Sequence, residues 1–338
     1  MSHITIRDAR EVDAGAVAAF TDDTWGDRHE DYIPRVFAEW VRTDDDEQRT
    51  LIATVTPEAA AEATTGGEVD SDILVEGDGT GAAATGEPEA VVGCVQGVLL
   101  SEWEAWAQGI RVNPDVRGLG VGTRLTEATL EWARSAGATV CRNLVFSWNA
   151  AGLGQSRAAG FDPAAEFRFA RPRPEPGTPS TAIDDPDPDD AWGFWQRSDA
   201  RDRLRGLALD PAESWACSEL TRARLSTAAD DGRLIAVEDD GIAACAVRTR
   251  FDEQESEDGI ERTAVYGVAA WRNVDAAGAL YAAIAADAAE RGADATRVLI
   301  PESTLHVSDT AANRVDIAAE PEFVLRADLT DPTVGSVE

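Results

Sequence analysis

Between residues 110 and 123 the sequence reads Ile-Arg-Val-Asn-Pro-Asp-Val-Arg-Gly-Leu-Gly-Val-Gly-Thr, a strand-like run that passes into a helical one through Gly118, Gly120 and Gly122. Glycines at such a junction let backbone N–H groups approach a ligand unobstructed and adopt torsions closed to other residues. The unpaired N–H groups of the helix's first turn, with the helix dipole behind them, suit a phosphate or pyrophosphate. The same pattern also serves as a tight strand-to-helix connection, and local charge helps decide between the two. From residue 105 to 161, Arg111, Arg117, Arg124, Arg134, Arg142 and Arg157 stand against Asp115, Glu127 and Glu131, a net +3 in a chain whose net charge is -33. A cationic island around a glycine loop in so acidic a protein predicts a bound anion. A dinucleotide-binding fold would need the loop after the first strand of a repeated parallel sheet, with an acidic residue about 20 positions on. Here the loop follows several antiparallel-looking strands, and the downstream positions read Cys141-Arg142.

Composition narrows the chemistry further. Of 338 residues 63 are acidic and 30 basic, and all 30 are arginine; no lysine occurs. A Walker-type phosphate loop and a pyridoxal Schiff base both need lysine, so both are excluded. The acidity argues against DNA, RNA and anionic membranes as partners. Disorder does not fit a chain with 43% hydrophobic residues and ten tryptophans. Molar salt shortens the Debye length to about 3 Å, which lets a carboxylate surface stop repelling itself, so a halophilic, salt-loaded cytoplasm is expected. Cys94, Cys141, Cys217 and Cys245 form no C-x-x-C pair and read as buried reduced thiols, and His3, His29 and His306 are too scattered for a metal site. The opening Met-Ser-His-Ile-Thr-Ile-Arg-Asp does not read as a signal peptide, and no apolar run nears the ~18 residues of a membrane span, so the location expected is cytoplasmic.

The elements that must position the loop follow from periodicity. The first half predicts a strand at 4–7, helices at 12–22 and 32–41, strands near 51–55 and 90–100, a strand at 105–112, the glycine loop, a helix at 121–136, a strand at 139–146, a helix at 150–159 and a strand near 166–170. On the helix after the loop, Val121, Leu125, Ala128 and Trp132 make one apolar stripe. Thr56 to Glu89, rich in Gly, Ala, Thr and Glu, reads as a mobile hairpin insertion. Arg171 to Asp190 is dense in proline and aspartate and reads as an extended linker. The second half repeats the first: Gly137 aligns with Gly292, Leu125 with Leu280, Gln108-Gly-Ile with Tyr266-Gly-Val, Leu51-Ile-Ala with Leu234-Ile-Ala, and Gly93-Cys-Val with Ala244-Cys-Ala. The second copy is three residues shorter within the glycine loop, and its 263–303 stretch carries a net -2.

These residues resemble the GCN5-related N-acetyltransferases (GNAT). Arg117-Gly118-Leu119-Gly120-Val121-Gly122 after Ile110-Arg111-Val112 is similar to the family's Arg/Gln-x-x-Gly-x-Gly/Ala motif. The run from Asn149 to Gly160-Phe161 is similar to its asparagine, helix and terminal Gly-Phe at the same separation. The resemblance covers about residues 4 to 170, and the second half resembles the same fold without the cofactor loop. It implies acetyl-CoA as co-substrate and direct acyl transfer to an amine. It sets the pantetheine and thioester carbonyl on the backbone of Ile110, Arg111 and Val112, the pyrophosphate on Arg117, Gly118, Leu119, Gly120, Val121, Gly122 and Thr123, and the pantetheine arm beside Asn149. Backbone donors fixed before reaction suit a carbonyl that gains charge.

One position departs from the pattern: the family's tyrosine acid falls on Ser156, which is shorter and a poorer acid. A water extends it, or Tyr32 reaches in, or the thiolate leaves unassisted, which a thiol pKa of about 8.5 permits; lost catalysis is the remaining alternative. Glu102 and Glu104, at the start of the strand carrying the acetyl group, are candidates to deprotonate the amine, or are two more surface carboxylates. Trp25-Gly-Asp-Arg-His-Glu-Asp-Tyr32 falls where the family places one wall of the acceptor site, and its aromatic and acidic mixture suits a cationic amine or caps the second helix. Trp103, Trp106 and Trp148 flank the cleft, as packing or as ligand contacts.

The expected architecture is therefore α+β, a mixed-sheet pair of tandem acyl-CoA N-acyltransferase-like domains. Residues 1–170 bind acetyl-CoA, 171–190 form an acidic Pro-rich linker, and 191–330 form a degenerate second domain. The expected activity is N-acetylation of a primary amine, small molecule or peptide, in a ternary complex, by a monomer or homodimer and with no metal. The alternative is a non-catalytic acyl-CoA-binding sensor.

Overall fold

The computed structural model describes residues 4–22, 24–28, 30–64, 67–177, 179–256 and 259–335. The chain divides into two compact units: Met1–Asn143 with Ala151–Asp162 and Arg326–Glu338, and Leu144–Ala150 with Pro163–Leu325.

The first unit opens with β1 (Thr5–Asp8), α1 (Ala14–Thr21), α2 (Ile33–Thr43), β2 (Gln48–Val55), a short α3 (Pro57–Ala63) and β3 (Leu74–Glu76). It continues with β4 (Pro88–Leu99), β5 (Glu104–Val112), α4 (Val121–Ser135), β6 (Val140–Phe146) and α5 (Ala150–Ala158). The sheet order is β1-β2-β4-β5-β6 with β3 beside β4; β5 and β6 run parallel and the other pairs antiparallel. Strand β4 is apolar on both sides because helices cover both faces of the sheet. On one face Val121 and Leu125 of α4 pack on Leu51, Ala53, Val92 and Val95. On the other, Val17, Ile33 and Phe37 of α1 and α2 pack on Ile52, Val91 and Cys94. Glycines in β4 admit the long helix: a Cβ at Gly93 would lie 2.9 Å from Leu125, and one at Gly97 2.5 Å from the Trp132 ring.

The segment expected as a mobile hairpin is instead built in. It holds α3, a 3-10 turn and β3, and its last residue, Glu89, is fully buried. Arg7 donates to Glu89 at 2.6 Å and to Asp13 at 2.9 Å, Arg10 donates to Glu89 at 2.8 Å, and the N–H of Ala82 reaches the other Glu89 oxygen at 3.0 Å. A buried carboxylate with this many charge-assisted donors fixes its loop; composition gave no sign of it.

In the second unit β7 (Asp162–Arg171) is followed by α6 (Pro188–Gln196), α7 (Asp199–Arg203), β8 (Leu207–Leu209), β9 (Cys217–Glu219), α8 (Arg222–Asp230), β10 (Leu234–Glu238) and β11 (Ile242–Ser256). Then come β12 (Gly259–Trp271), α9 (Val274–Glu290), β13 (Ala295–Pro301), α10 (Thr304–Ala312), β14 (Asp316–Ile317) and β15 (Glu322–Asp328). Its sheet runs β7-β13-β12-β11-β10, again with one parallel pair, β12 and β13. The strand-strand-strand-helix-strand-helix order of β2, β4, β5, α4, β6, α5 recurs in β10, β11, β12, α9, β13, α10, and the aligned Leu125 and Leu280 are both fully buried.

The units differ from contiguous halves. Residues 163–171 belong to the second unit, where β7 pairs with β13, and residues 326–338 belong to the first. The stretch expected as a solvated linker is partly structured on the second unit: Ile183 donates to the Ala236 carbonyl at 3.0 Å, Glu238 donates to that of Thr181 at 2.9 Å, and Asp187 caps α6. All four cysteines are buried and none is in a disulfide. Among the described residues no helix is long and apolar enough to cross a membrane.

Candidate active site

The site is organised by a fork in the first unit's sheet. The parallel ladder between β5 and β6 joins only Glu104, Ala105 and Trp106 to Val140, Cys141 and Arg142. Beyond it, Ala107, Gln108, Arg111 and Val112 pair with β4, and among the described residues no further rung to β6 follows. A bulge interrupts that pairing, with Cys94 opposite Arg111 and Gln96 opposite Gln108. Gly109 supplies it at φ +65°, because a Cβ there would lie 2.6 Å from the Trp40 ring. Bulges of this kind re-aim a strand's backbone groups and are common beside active sites. The Cys94 thiol lies 3.7 Å from the Gly109 carbonyl, and burial pushes its pKa up to about 12. Cys141 is raised likewise, so neither is a ready thiolate nucleophile.

From β5 the chain enters the glycine loop. The Asn113 side chain accepts from the N–H of Asp115 at 3.0 Å, and buried Val116 pins the turn that follows. Gly118 and Gly120 take φ +83° and +84°, and a Cβ on either would meet nothing within 4 Å. Backbone conformation, and not crowding, therefore requires glycine here, and it leaves open space above the loop. Gly120 is the N-cap of α4 and brings no side-chain cap, so the first-turn N–H groups of a 15-residue helix face that space. Gln155 of α5 donates to the Gly122 carbonyl at 3.1 Å and ties the start of α4 to the body of α5. The second unit does the opposite: Asn273 caps α9 by accepting from Ala276 at 2.9 Å.

The cationic island needs correction. Arg111 is held by Asp31 at 2.7 and 3.0 Å, Arg142 by Glu104 and Arg157 by Asp162. All three carboxylates lie outside the window counted in the sequence, and including them reduces its net +3 to zero. Arg134 turns to backbone carbonyls of residues 329–334. Arg117 and Arg124 remain at the helix start, both exposed and with no carboxylate partner among the described residues.

The expected catalytic residues are distributed over both faces of the sheet. Glu104 is 2% exposed and bound to Arg142 and to the Ser101 hydroxyl, while Glu102 is exposed on the preceding turn. Tyr32 is about one-third exposed and stands edge-on to Trp40 at 6.0 Å. Asp31 is buried and shared between Arg111 and the N–H of Ile33, so of the two roles the sequence left open for residues 25–32 it caps the second helix and is unavailable to a cationic amine; His29 of that segment lies outside the described residues. The Arg111 guanidinium lies 4.7 Å from the Trp25 ring and 5.7 Å from that of Tyr32. Trp106 is fully buried, Trp103 is exposed, and Trp148 stacks on Phe146 at 5.2 Å.

Ser156 is buried in α5 and accepts a hydrogen bond from Asn143 Nδ2 at 2.9 Å. Arg142, which meets Glu104, and Asn143, which meets Ser156, are successive residues of β6. Alternation therefore puts the Glu104 and Ser156 contacts on opposite faces. Asn149 immediately precedes α5, with its N–H bonded to the Phe146 carbonyl. Asn143, Gln155 and the Asp31–Arg111 pair were missed in the sequence; Asn143 carried a signal, as an amide inside a mostly apolar strand.

Residues 17–161 match the Acetyltransferase (GNAT) family. A GCN5-related N-acetyltransferase from Sphaerobacter thermophilus is similar over 96% of this chain and 96% of its own, at 15% identity and a TM-score of 0.54. A tandem GNAT protein from the clavulanic acid biosynthesis pathway, solved without AcCoA, is similar over 97% of this chain and 99% of its own, at 12% identity and a TM-score of 0.50. At such identities the likeness is one of fold. No curated protein matches. The segment matched is an acyltransferase domain of a family whose co-substrate is acetyl-CoA, and the whole chain has the mixed-sheet fold of GNAT acyltransferases.

Proposed function

We propose that this chain is an N-acetyltransferase that passes the acetyl group of acetyl-CoA directly to a primary amine in a ternary complex. The observation that carries the reading is the uncapped, glycine-opened start of α4 beside the unladdered flank of β5. The residues present fit the coenzyme: space is open over Gly118 and Gly120, and Asn143 Oδ1 is buried with no partner. Acetyl-CoA, when bound, supplies a thioester carbonyl for the amine to attack as the C–S bond breaks.

The protein's own residues divide the remaining work. N–H groups from Gly118 to Thr123, with Arg117, hold the diphosphate. The flank of Ile110, Arg111 and Val112 beyond the last rung to β6, where the Ile110 carbonyl already accepts from Arg111 Nη1 at 3.0 Å, offers its N–H groups to the pantetheine and to the thioester carbonyl, and Asn149 steadies the arm. On the acceptor face Tyr32 orients the amine. Glu104, already engaged by Arg142, takes the amine's proton through water, or Glu102 does so from the rim. The lack of a ready cysteine thiolate favours direct transfer over an acyl-enzyme.

The second unit is, on this reading, a degenerate copy: α9 caps itself and lacks the glycines. The acidic composition supports a salt-accumulating cell, and the protein proposed is cytoplasmic and monomeric or homodimeric. A sensor that binds acyl-CoA without turnover is the second reading, favoured by Ser156 in place of tyrosine.

Calorimetry with acetyl-CoA in molar KCl is expected to show micromolar binding, weakened by at least about a hundredfold in Gly120→Glu, which strains the left-handed cap and sets a carboxylate against the phosphates. Absence of binding to the native chain overturns the proposal. Thiol release with any member of an amine panel supports transfer, and binding without release across the panel supports the sensor.

A further inference from the structure

We propose that Asn143 and Ser156 form the sulfur-side pair of the site, Asn143 fixing the serine so that its hydroxyl hydrogen is directed at the coenzyme sulfur. The inference rests on the acetyltransferase reading and concerns how this chain manages without the tyrosine. Asn143 is the first residue of β6 past the last rung of the β5–β6 ladder, so it stands where the fork opens. Its Nδ2 donates to Ser156 Oγ at 2.9 Å. A hydroxyl has one hydrogen and two lone pairs, so a serine that accepts from Asn143 must send its own hydrogen elsewhere. The buried helix hydroxyls of Thr126 and Thr129 donate to the carbonyl four residues back, both at 2.9 Å. Among the described residues Ser156 shows no such bond.

The other end of the amide gives the second observation. Asn143 Oδ1 is buried and has no donor. Buried polar atoms in native proteins are paired, so an orphan at the fork points to a donor brought by a ligand. We assign it a pantetheine amide N–H. In the transfer step the amine, already relieved of its ammonium proton by Glu104 or Glu102, bonds through nitrogen to the carbonyl carbon, the C–S electron pair passes to sulfur, and the second proton lost by nitrogen reaches sulfur through water. Ser156 keeps its proton and donates a hydrogen bond to sulfur as charge develops there; Asn143 is a positioning residue. Serine is shorter than the tyrosine that the resemblance places there, and the Asn143 amide fixes the direction of its hydroxyl.

The test is binding of CoA and desulpho-CoA, which needs no acceptor. A donor to sulfur stabilises thiolate and lowers the bound thiol's pKa, so native affinity for CoA relative to desulpho-CoA rises between about pH 6 and pH 9, by about tenfold for each pKa unit. Ser156→Ala is expected to flatten that rise and leave desulpho-CoA binding unchanged. Asn143→Leu flattens it and also weakens desulpho-CoA binding, having lost Oδ1. Asn143→Asp, nearly isosteric, draws the serine hydrogen to itself and flattens the rise too. A native ratio that does not change with pH overturns the inference alone, and so does an Asn143→Leu protein that keeps the native rise. Failure of the native protein to bind either compound overturns the acetyltransferase reading and this inference with it.

Discussion

Glu322, on β15, has a carboxylate oxygen buried without a hydrogen-bond partner. Burial, with Glu320 nearby, pushes its pKa up to about 7, and Arg297 offsets only part of that. Arg297 is itself held at 4.8 Å from Trp215 and 5.4 Å from Phe169, and bonds Asp252. The unfolded chain releases this proton near the ordinary value of 4.5, the folded chain near 7. Stability is therefore unaffected below the lower value, falls as pH rises between the two, and levels above the higher one. The whole fall is about 3 kcal/mol. Glu322→Gln should remove it: the variant should match the native protein near pH 4 and exceed it by about 2–3 kcal/mol near pH 8 in denaturant titrations. Equal stabilities at the higher pH would show that Glu322 is solvated in the folded protein. At this scale the sequence is least legible. Asp31 and Arg111 lie 80 positions apart, as do Glu89 and Arg7 nearly so, and no spacing rule links such partners.

Elements were far more legible than contacts. Strands, helices and the glycine loop of the first half lie within a few residues of where apolar periodicity and glycine placed them, because each element's buried face is written locally. What periodicity does not encode is which sheet edge a strand joins, so the contiguous halves expected from the repeat are not the units that form. The first unit closes with the chain's far end. Leu329 donates to the Thr139 carbonyl at 2.9 Å, and Arg134 on α4 donates to the carbonyls of Leu329 at 3.0 Å and Val334 at 2.9 Å. Gly335 comes against Leu130, and Val334 against Gly160. Arg134→Gln should cost the first unit about 1–2 kcal/mol, from charge-assisted bonds to backbone. A stop after Leu329 should cost more and weaken acetyl-CoA binding, since α4 presents the glycine loop. An unaltered calorimetric transition in the shortened protein would show that the tail contributes nothing to the unit.

For the whole molecule, the question is what a net charge of -33 does to stability. Charges dispersed evenly would be screened from one another at ordinary ionic strength, where the Debye length is about 10 Å. The acids here are not dispersed. Asp184, Asp185, Asp187, Asp189 and Asp190 fall within seven residues, and of their carboxylates Asp189 meets Arg222 at 2.7 Å while Asp187 caps α6. Asp44, raised chiefly by burial, is raised further by Asp8 and Asp45. Consecutive Cα atoms lie 3.8 Å apart, so such neighbours escape screening until the Debye length contracts to about 3 Å near 1 M salt. The melting temperature should therefore continue to climb between about 0.1 M and 1 M KCl, beyond the range in which dispersed charges are already screened. A variant carrying Asp46→Asn, Asp184→Asn and Asp185→Asn keeps the Asp187 cap and the Asp189–Arg222 pair. It should begin more stable at the lower salt and gain less on the way to the higher. If its salt dependence parallels that of the native chain, local carboxylate repulsion is not the source, and general exclusion of salt from the protein surface takes its place.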